Sequence, residues 1–295
     1  MTADDIASWR EPVRVLVKGA STAVMTSWMG GPRRDFTYPR VAEAELLAAG
    51  QPAEVRVTAA VGQRAKDSLA TWEREVVTWS PDVVVLHYGQ YEAVHLLIPS
   101  PVERYVNRVS RRSGTLRDAA HRHAVRTPYL GLVAVQQRVD ERVPDRFWAH
   151  RARQVGADLE RLVERVRTVA SPLVVIPDQV HPDPAWAVPF PGMAARVDHL
   201  NATFRSLVDR IADPDVRLLQ ISEIVAGLAA ADPYAPDGGH FAPHVHQAVG
   251  RVLANMILEW AGSQPHLAVP GTSSGRTIVA VLTEQPAAIG KEQVP

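Results

Sequence analysis

Asp237 and His240 stand three residues apart across Gly238 and Gly239, near the carboxyl end of the chain. Histidine takes and returns a proton near neutral pH, and a carboxylate beside it fixes the tautomer and stabilises the imidazolium. A D-x2-H spacing in a glycine turn is short enough for that contact. Serine becomes a useful nucleophile only next to such a base, and Ser21 follows Gly19-Ala20 just after an apolar run. Together these residues could attack a carbonyl, with the backbone N–H groups of Ser21 and Gly62 donating to the oxyanion. Gly62 suits that role because its backbone can approach a ligand with no side chain in the way.

Plainer roles compete. A serine between strand and helix is a common N-cap, and Asp before Gly commonly makes an Asx turn or caps a helix. The ordered combination of Ser21 with Asp237 and His240 favours catalysis over either role alone. Asp237, His240, His244 and His246 also spell D-x2-H-x3-H-x-H, a donor set that suits zinc or iron. A helix beginning near Pro243 leaves His240 outside it and turns His244 and His246 to different faces, so no metal site is expected.

The chain has no cysteine, which excludes disulfides, thiolate metal sites and a cysteine nucleophile. Thirty-two basic and thirty-two acidic residues cancel, so no global attraction to nucleic acid or to an anionic membrane is expected. No apolar run is long enough to span a bilayer. Residues Met1 to Trp9 carry Asp4-Asp5 in place of a long apolar stretch, and a cytoplasmic location is the expectation.

The elements that must position these groups are legible as five apolar runs separated by long helix-compatible stretches. The runs are Val13 to Val17, Val55 to Ala59, Asp82 to His87, Leu173 to Pro177 and Val216 to Ile221. Their nearly continuous apolar character predicts parallel strands covered on both faces, hence an α/β fold. Helices are expected at Tyr38 to Ala49, Gln63 to Trp79, Trp148 to Val169, Gly192 to Ile211 and Pro243 to Trp260. In such a sheet ligands bind beyond the carboxyl ends of the strands. That rule singles out Ser21 after the first run, Gly62 after the second, and Gly89, Gln90, Tyr91 and Glu92 after the third.

No glycine-rich phosphate loop or dinucleotide fingerprint follows the first run. The main unit is expected to span 1–262, with an insertion at about 93–147 and a Pro/Gly-containing flexible tail at 263–295. Within that tail Ile278 to Leu282 has the composition of an edge strand. Residues 101–126 hold seven arginines and two histidines against Glu103 and Asp118. They read as a solvated helical face, as a basic lid over an anionic substrate or as a surface that touches phospholipid. His87 is expected to pack at a strand end against the cleft, and Trp28 to Gly31 either line a pocket or simply pack.

Gly19-Ala20-Ser21, a glycine after the second strand, Gly89-Gln90-Tyr91-Glu92 and Asp237-Gly-Gly-His240 resemble the four blocks of the SGNH or GDSL hydrolase superfamily. The resemblance runs in order through residues 13–261. It implies a flavodoxin-like three-layer α/β/α sandwich with a five-stranded parallel sheet, and hydrolysis of a small-molecule, sugar or lipid ester with no cofactor or metal. Ser21 would be the nucleophile, His240 the base and Asp237 its orienter, with Ser21 and Gly62 amides in the oxyanion hole. Ala20 stands where the family has aspartate; Tyr91 and Glu92 stand where it has asparagine and aspartate. That asparagine normally donates to the oxyanion. Either Tyr91 or Gln90 replaces it, or the chain is slow on simple esters, or the site has turned to acyl transfer or to binding alone.

Overall fold

The computed structural model describes residues 11–24, 36–60, 62–94, 127–140, 142, 145–187, 190–228 and 232–267. Five strands form one all-parallel sheet: β1 (Val13–Gly19), β2 (Ala53–Val57), β3 (Val83–His87), β4 (Leu173–Pro177) and β5 (Val216–Leu219). Their spatial order is β2-β1-β3-β4-β5, the doubly wound arrangement whose switch point lies between β1 and β3. The carboxyl ends of β1 and β3 sit side by side, in register from Val15 with Val83 to Gly19 with His87.

β3 and β4 are buried at every position, which is why they read as unbroken apolar runs. β2 is an edge strand with Glu54 and Arg56 exposed. The polar alternation hides its start, so it begins and ends two residues earlier than the apolar run predicts. Ile221, expected to end β5, instead opens a helix, because the Asp178 carboxylate beyond β4 accepts from both the backbone N–H and the hydroxyl of Ser222.

One face of the sheet carries α1 (Tyr38–Ala48). The last helix, described below, joins it there through Val245, Val249, Leu253 and Ile257, each four residues from the next and each buried. The other face is covered by α2 (Ala65–Ser68), α3 (Trp72–Trp79), α6 (Asp145–Val169) and α8 (Met193–Ile211), packed on Leu16, Val84, Leu86 and Ile176. Fully burying each such aliphatic side chain contributes roughly 1.5–3 kcal/mol. The layers on both faces account for the continuous strand pattern.

The single helix expected from Gln63 to Trp79 is two helices. The buried Ser68 hydroxyl is hydrogen-bonded to Tyr88 and to Gln63, and the chain tightens there through Ala70 N–H to Asp67 and Thr71 N–H to Ser68. Between β3 and β4 lie α4 (Gln90–Val94), α5 (Thr127–Asp140) and α6. The short helix α7 (Pro184–Ala187) follows β4, α9 (Ile221–Ala226) follows β5, and α10 (Pro243–Ala261) closes the sandwich. Leu267, just past α10, is buried in the core. The arginine-rich stretch 101–126, Trp28 to Gly31, and Ile278 to Leu282 lie outside the described residues. No helix among the described residues is long and apolar enough to cross a membrane.

Candidate active site

Ser21 opens a single 3-10 turn, Ser21–Ala23, immediately beyond β1. The N-cap position is Ala20, in extended backbone and with no side-chain cap bond. Ser21 is therefore not the cap that its setting suggests. As the first residue of the turn it has no preceding carbonyl within the turn to bond, which leaves its N–H available to a ligand.

Asp237 to His240 occupy the tip of a small loop whose stem is an antiparallel bridge between Tyr234 and Phe241. Ala235 N–H donates to the His240 carbonyl at 2.7 Å, and Ala242 N–H to Pro233 at 2.9 Å. Asp237 performs both roles that its spacing allows. Its Oδ1 accepts from the N–H of Gly239 and of His240, each at 3.1 Å, while Oδ2 lies 2.6 Å from His240 Nδ1. An ionised carboxylate only accepts, so Nδ1 carries the proton and Nε2 is left as the basic nitrogen. Among the described residues Ser21 and His240 share no hydrogen bond.

Trp186 on α7 fixes this loop from outside. Its indole Nε1 donates to the Asp237 carbonyl at 2.7 Å, and its ring lies directly over the two glycines. A Cβ on Gly238 would come within 2.9 Å of the indole, where φ is also +67°, and one on Gly239 would overlap it. The glycine pair is thus the seat of a tryptophan from the helix that follows β4. Gln90 holds the loop from the other side, its Nε2 donating to the Gly239 carbonyl at 2.6 Å.

Gly62 adopts φ +74°, and a Cβ there would lie 3.0 Å from Tyr91 Cζ and 3.1 Å from its hydroxyl. The glycine beyond β2 and the tyrosine in the asparagine's place are therefore neighbours. Arg64, itself buried, holds its guanidinium 5.7 Å from the Tyr91 ring centre. The buried Glu92 carboxylate joins the two loops, accepting from Ala65 N–H at 2.9 Å and Gly89 N–H at 3.1 Å. Burial raises its pKa, against the pull of those hydrogen bonds and of Arg64. Gly89 thus donates its N–H to Glu92, and the Gln90 side chain serves the Gly239 carbonyl.

His87 lies in the core behind the site. Its Nδ1 shares a 3.0 Å hydrogen bond with the Tyr38 hydroxyl, and its ring stacks with Phe241. Burial, with a smaller contribution from His246, pushes its pKa down to about 3. His246 is also fully buried, and its Nδ1 accepts from Tyr38 N–H at 3.1 Å. No group of three or more side chains that could hold a metal ion is assembled among the described residues.

A narrow cleft adjoins three of the four blocks, bounded by Thr22, Gln90, Gly238 and Gly239 and by Gln179, Val180, Trp186 and Tyr234. Gln179 and Trp186 escaped the sequence reading. Gln179 follows β4, where the strand-end rule would have found it; for Trp186 the only signal is the glycine pair it covers.

No family model matches the sequence, and no curated protein does. Solved structures match the fold. A lipase/acylhydrolase from Enterococcus faecalis is 14% identical, with 83% of this chain and 94% of that chain covered at a TM-score of 0.53. Est24, a carbohydrate acetylesterase from Sinorhizobium meliloti, is 11% identical over 84% and 99% of the two chains, with a TM-score of 0.52. A carbohydrate acetylesterase family member from the same organism is 18% identical over 83% and 97%, with a TM-score of 0.51. The three-layer architecture of this chain is the fold of these proteins.

Proposed function

We propose that this chain is a serine-dependent ester hydrolase. The observation that carries the reading is the Asp237–His240 pair, 2.6 Å apart, on a loop at the same end of the sheet as Ser21. The fold is that of acylhydrolases and acetylesterases, which supports an ester as the substrate class.

In this reading His240 Nε2 takes the Ser21 hydroxyl proton as Oγ bonds to the ester carbonyl carbon. The carbonyl oxygen becomes an oxyanion, received by the N–H groups of Ser21 and Gly62 and by the Tyr91 hydroxyl. Collapse of the intermediate breaks the carbon–oxygen bond to the alcohol, and the imidazolium returns the proton to the departing oxygen. Water then repeats the sequence on the acyl-enzyme and releases the acid. Asp237 holds the ring and balances its positive charge; exchanging such an aspartate for asparagine lowers kcat by about 10⁴.

The test is labelling with a fluorophosphonate, which reports an activated serine without knowledge of the substrate. A stoichiometric adduct on Ser21, lost in His240→Ala, is the expected result. A folded protein that takes up no label would overturn the proposal. Product analysis with an added alcohol separates hydrolysis from acyl transfer, since transfer yields an acylated acceptor in place of free acid.

A further inference from the structure

The cleft beside Ser21 and His240 contains polar atoms that the protein itself does not satisfy. Gln179 is buried, and its Nε2 donates to the carbonyls of Tyr88 at 2.9 Å and Pro177 at 3.3 Å. Both amide hydrogens are thereby used, and the reverse orientation would set an oxygen against two carbonyls. Oε1 is the atom that remains, an acceptor held rigidly on the cleft wall. The backbone of Gln179 is equally fixed, exchanging hydrogen bonds of 2.8 Å with the Asn201 side chain in both directions.

Two further cleft residues carry hydroxyls that lack a partner. Thr22 is only 2% exposed, and its Oγ1 has no hydrogen-bond partner; the Tyr234 hydroxyl is likewise buried and unpartnered. Burial, with Asp183 and Asp232 nearby, raises the Tyr234 pKa and keeps the phenol a donor. Buried polar groups are nearly always paired in native proteins, so two buried hydroxyls beside the spare Gln179 acceptor in one cleft call for a polar occupant. Around them Trp186, Val180, Pro182, Met193 and Phe241 supply apolar surface. An acceptor and two hydroxyls set among apolar walls match a group that has carbon–hydrogen faces and hydroxyl edges.

We infer that this cleft is a subsite for a hydroxyl-bearing part of the ester, with Gln179 Oε1 accepting a hydrogen bond from the substrate hydroxyl and Thr22 and Tyr234 completing the recognition. It rests on the ester-hydrolase reading only for the bond beside the cleft, not for the subsite itself. A site built to bond a hydroxyl rejects the analogue lacking it far more strongly than an apolar pocket rejects an extra methylene, because its own polar groups are then left unpaired.

The test is binding to Ser21→Ala protein, measured by calorimetry with two matched pairs. One pair is 6-O-acetylglucose and cyclohexylmethyl acetate, which places hydroxyls on the alcohol side; the other is methyl 3-hydroxybutanoate and methyl butanoate, which places one on the acyl side. The hydroxylated member of one pair is expected to bind at least tenfold tighter, and the pair that does so identifies the side of the ester. Gln179→Met should remove most of that preference. Because Gln179 also supports two carbonyls, Tyr234→Phe is the companion variant: it loses an unpartnered hydroxyl, so it should fold with an unchanged or higher Tm while the preference falls roughly three- to tenfold. Equal binding of both members in both pairs, as when water alone fills the cleft, overturns the inference. So does a preference untouched by Tyr234→Phe and by folded Gln179→Met. Absence of Ser21 labelling alongside a retained binding preference would sink the hydrolase reading and leave the subsite standing.

Discussion

Gln90 donates its side-chain amide to the Gly239 carbonyl at 2.6 Å, joining the loop beyond β3 to the loop that carries His240. One residue of the proposed oxyanion region thus sets the position of the proposed base. Gln90→Met keeps the length and loses the donor. kcat is expected to fall about ten- to hundredfold with KM within a fewfold of wild type, and stability by about 1 kcal/mol. Steady-state kinetics with calorimetry checks this; a raised KM at constant kcat would instead mean that Gln90 binds substrate.

Tyr91 lies against Gly62, and the proposed mechanism assigns its hydroxyl to the oxyanion. Tyr91→Phe should lower kcat on the order of a hundred- to thousandfold, the cost of one oxyanion donor. Tyr91→Asn should recover part of it. Wild-type turnover in Tyr91→Phe removes the phenol from the mechanism.

Gly239→Ala sets a methyl group into the indole of Trp186. Overpacking of this kind costs about 1–3 kcal/mol, and the shift of the loop should carry His240 out of line and reduce kcat as well. Trp186→Leu in the same chain should relieve the stability defect. A double-mutant cycle with no coupling between the two positions would show that they do not touch.

His87 gives the fold an acid-side weakness. Its folded pKa of about 3 lies below the ordinary 6.5, so between those values the unfolded chain binds a proton that the folded chain refuses. The contribution is intact above pH 6.5 and is lost as the pH falls toward 3, at about 1.36 kcal/mol per pH unit. Buried Glu92 and Asp178, whose pKa values are raised by burial, act in the opposite sense. Urea midpoints of wild type and His87→Gln across this range isolate the histidine; identical slopes would count against it.

Much of this fold is written in local sequence. β3 and β4 are apolar at every position because helices cover both of their faces, and α10 repeats its buried side chains every four residues. The order of Ser21, Gly62, Tyr91 and Asp237–His240 along the chain was equally readable, since each stands just past a strand or opens the last helix. What escaped depends on distant partners. No local pattern says that Trp186 will lie on Gly238 and Gly239, or that Ser68 will pair with Tyr88 and split a helix. The divergence of the histidines of D-x2-H-x3-H-x-H follows from a helix that starts at Pro243, but the contact of Tyr38 with His246 in the core does not.

Arg196 on α8 carries a consequence for how this chain can change. Its buried guanidinium bonds the Ala93 carbonyl through Nε and the Asp140 carboxylate through a terminal nitrogen, while lying 4.7 Å above the Trp148 ring. Residues 93 and 140, far apart in sequence, are thus pinned at one point. The chain between them is thereby a loop closed by Arg196, and lengthening a closed loop costs only about 0.6 kcal/mol per doubling. The length and charge of that loop can therefore be rewritten while the sheet and the loop bearing His240 stay as they are.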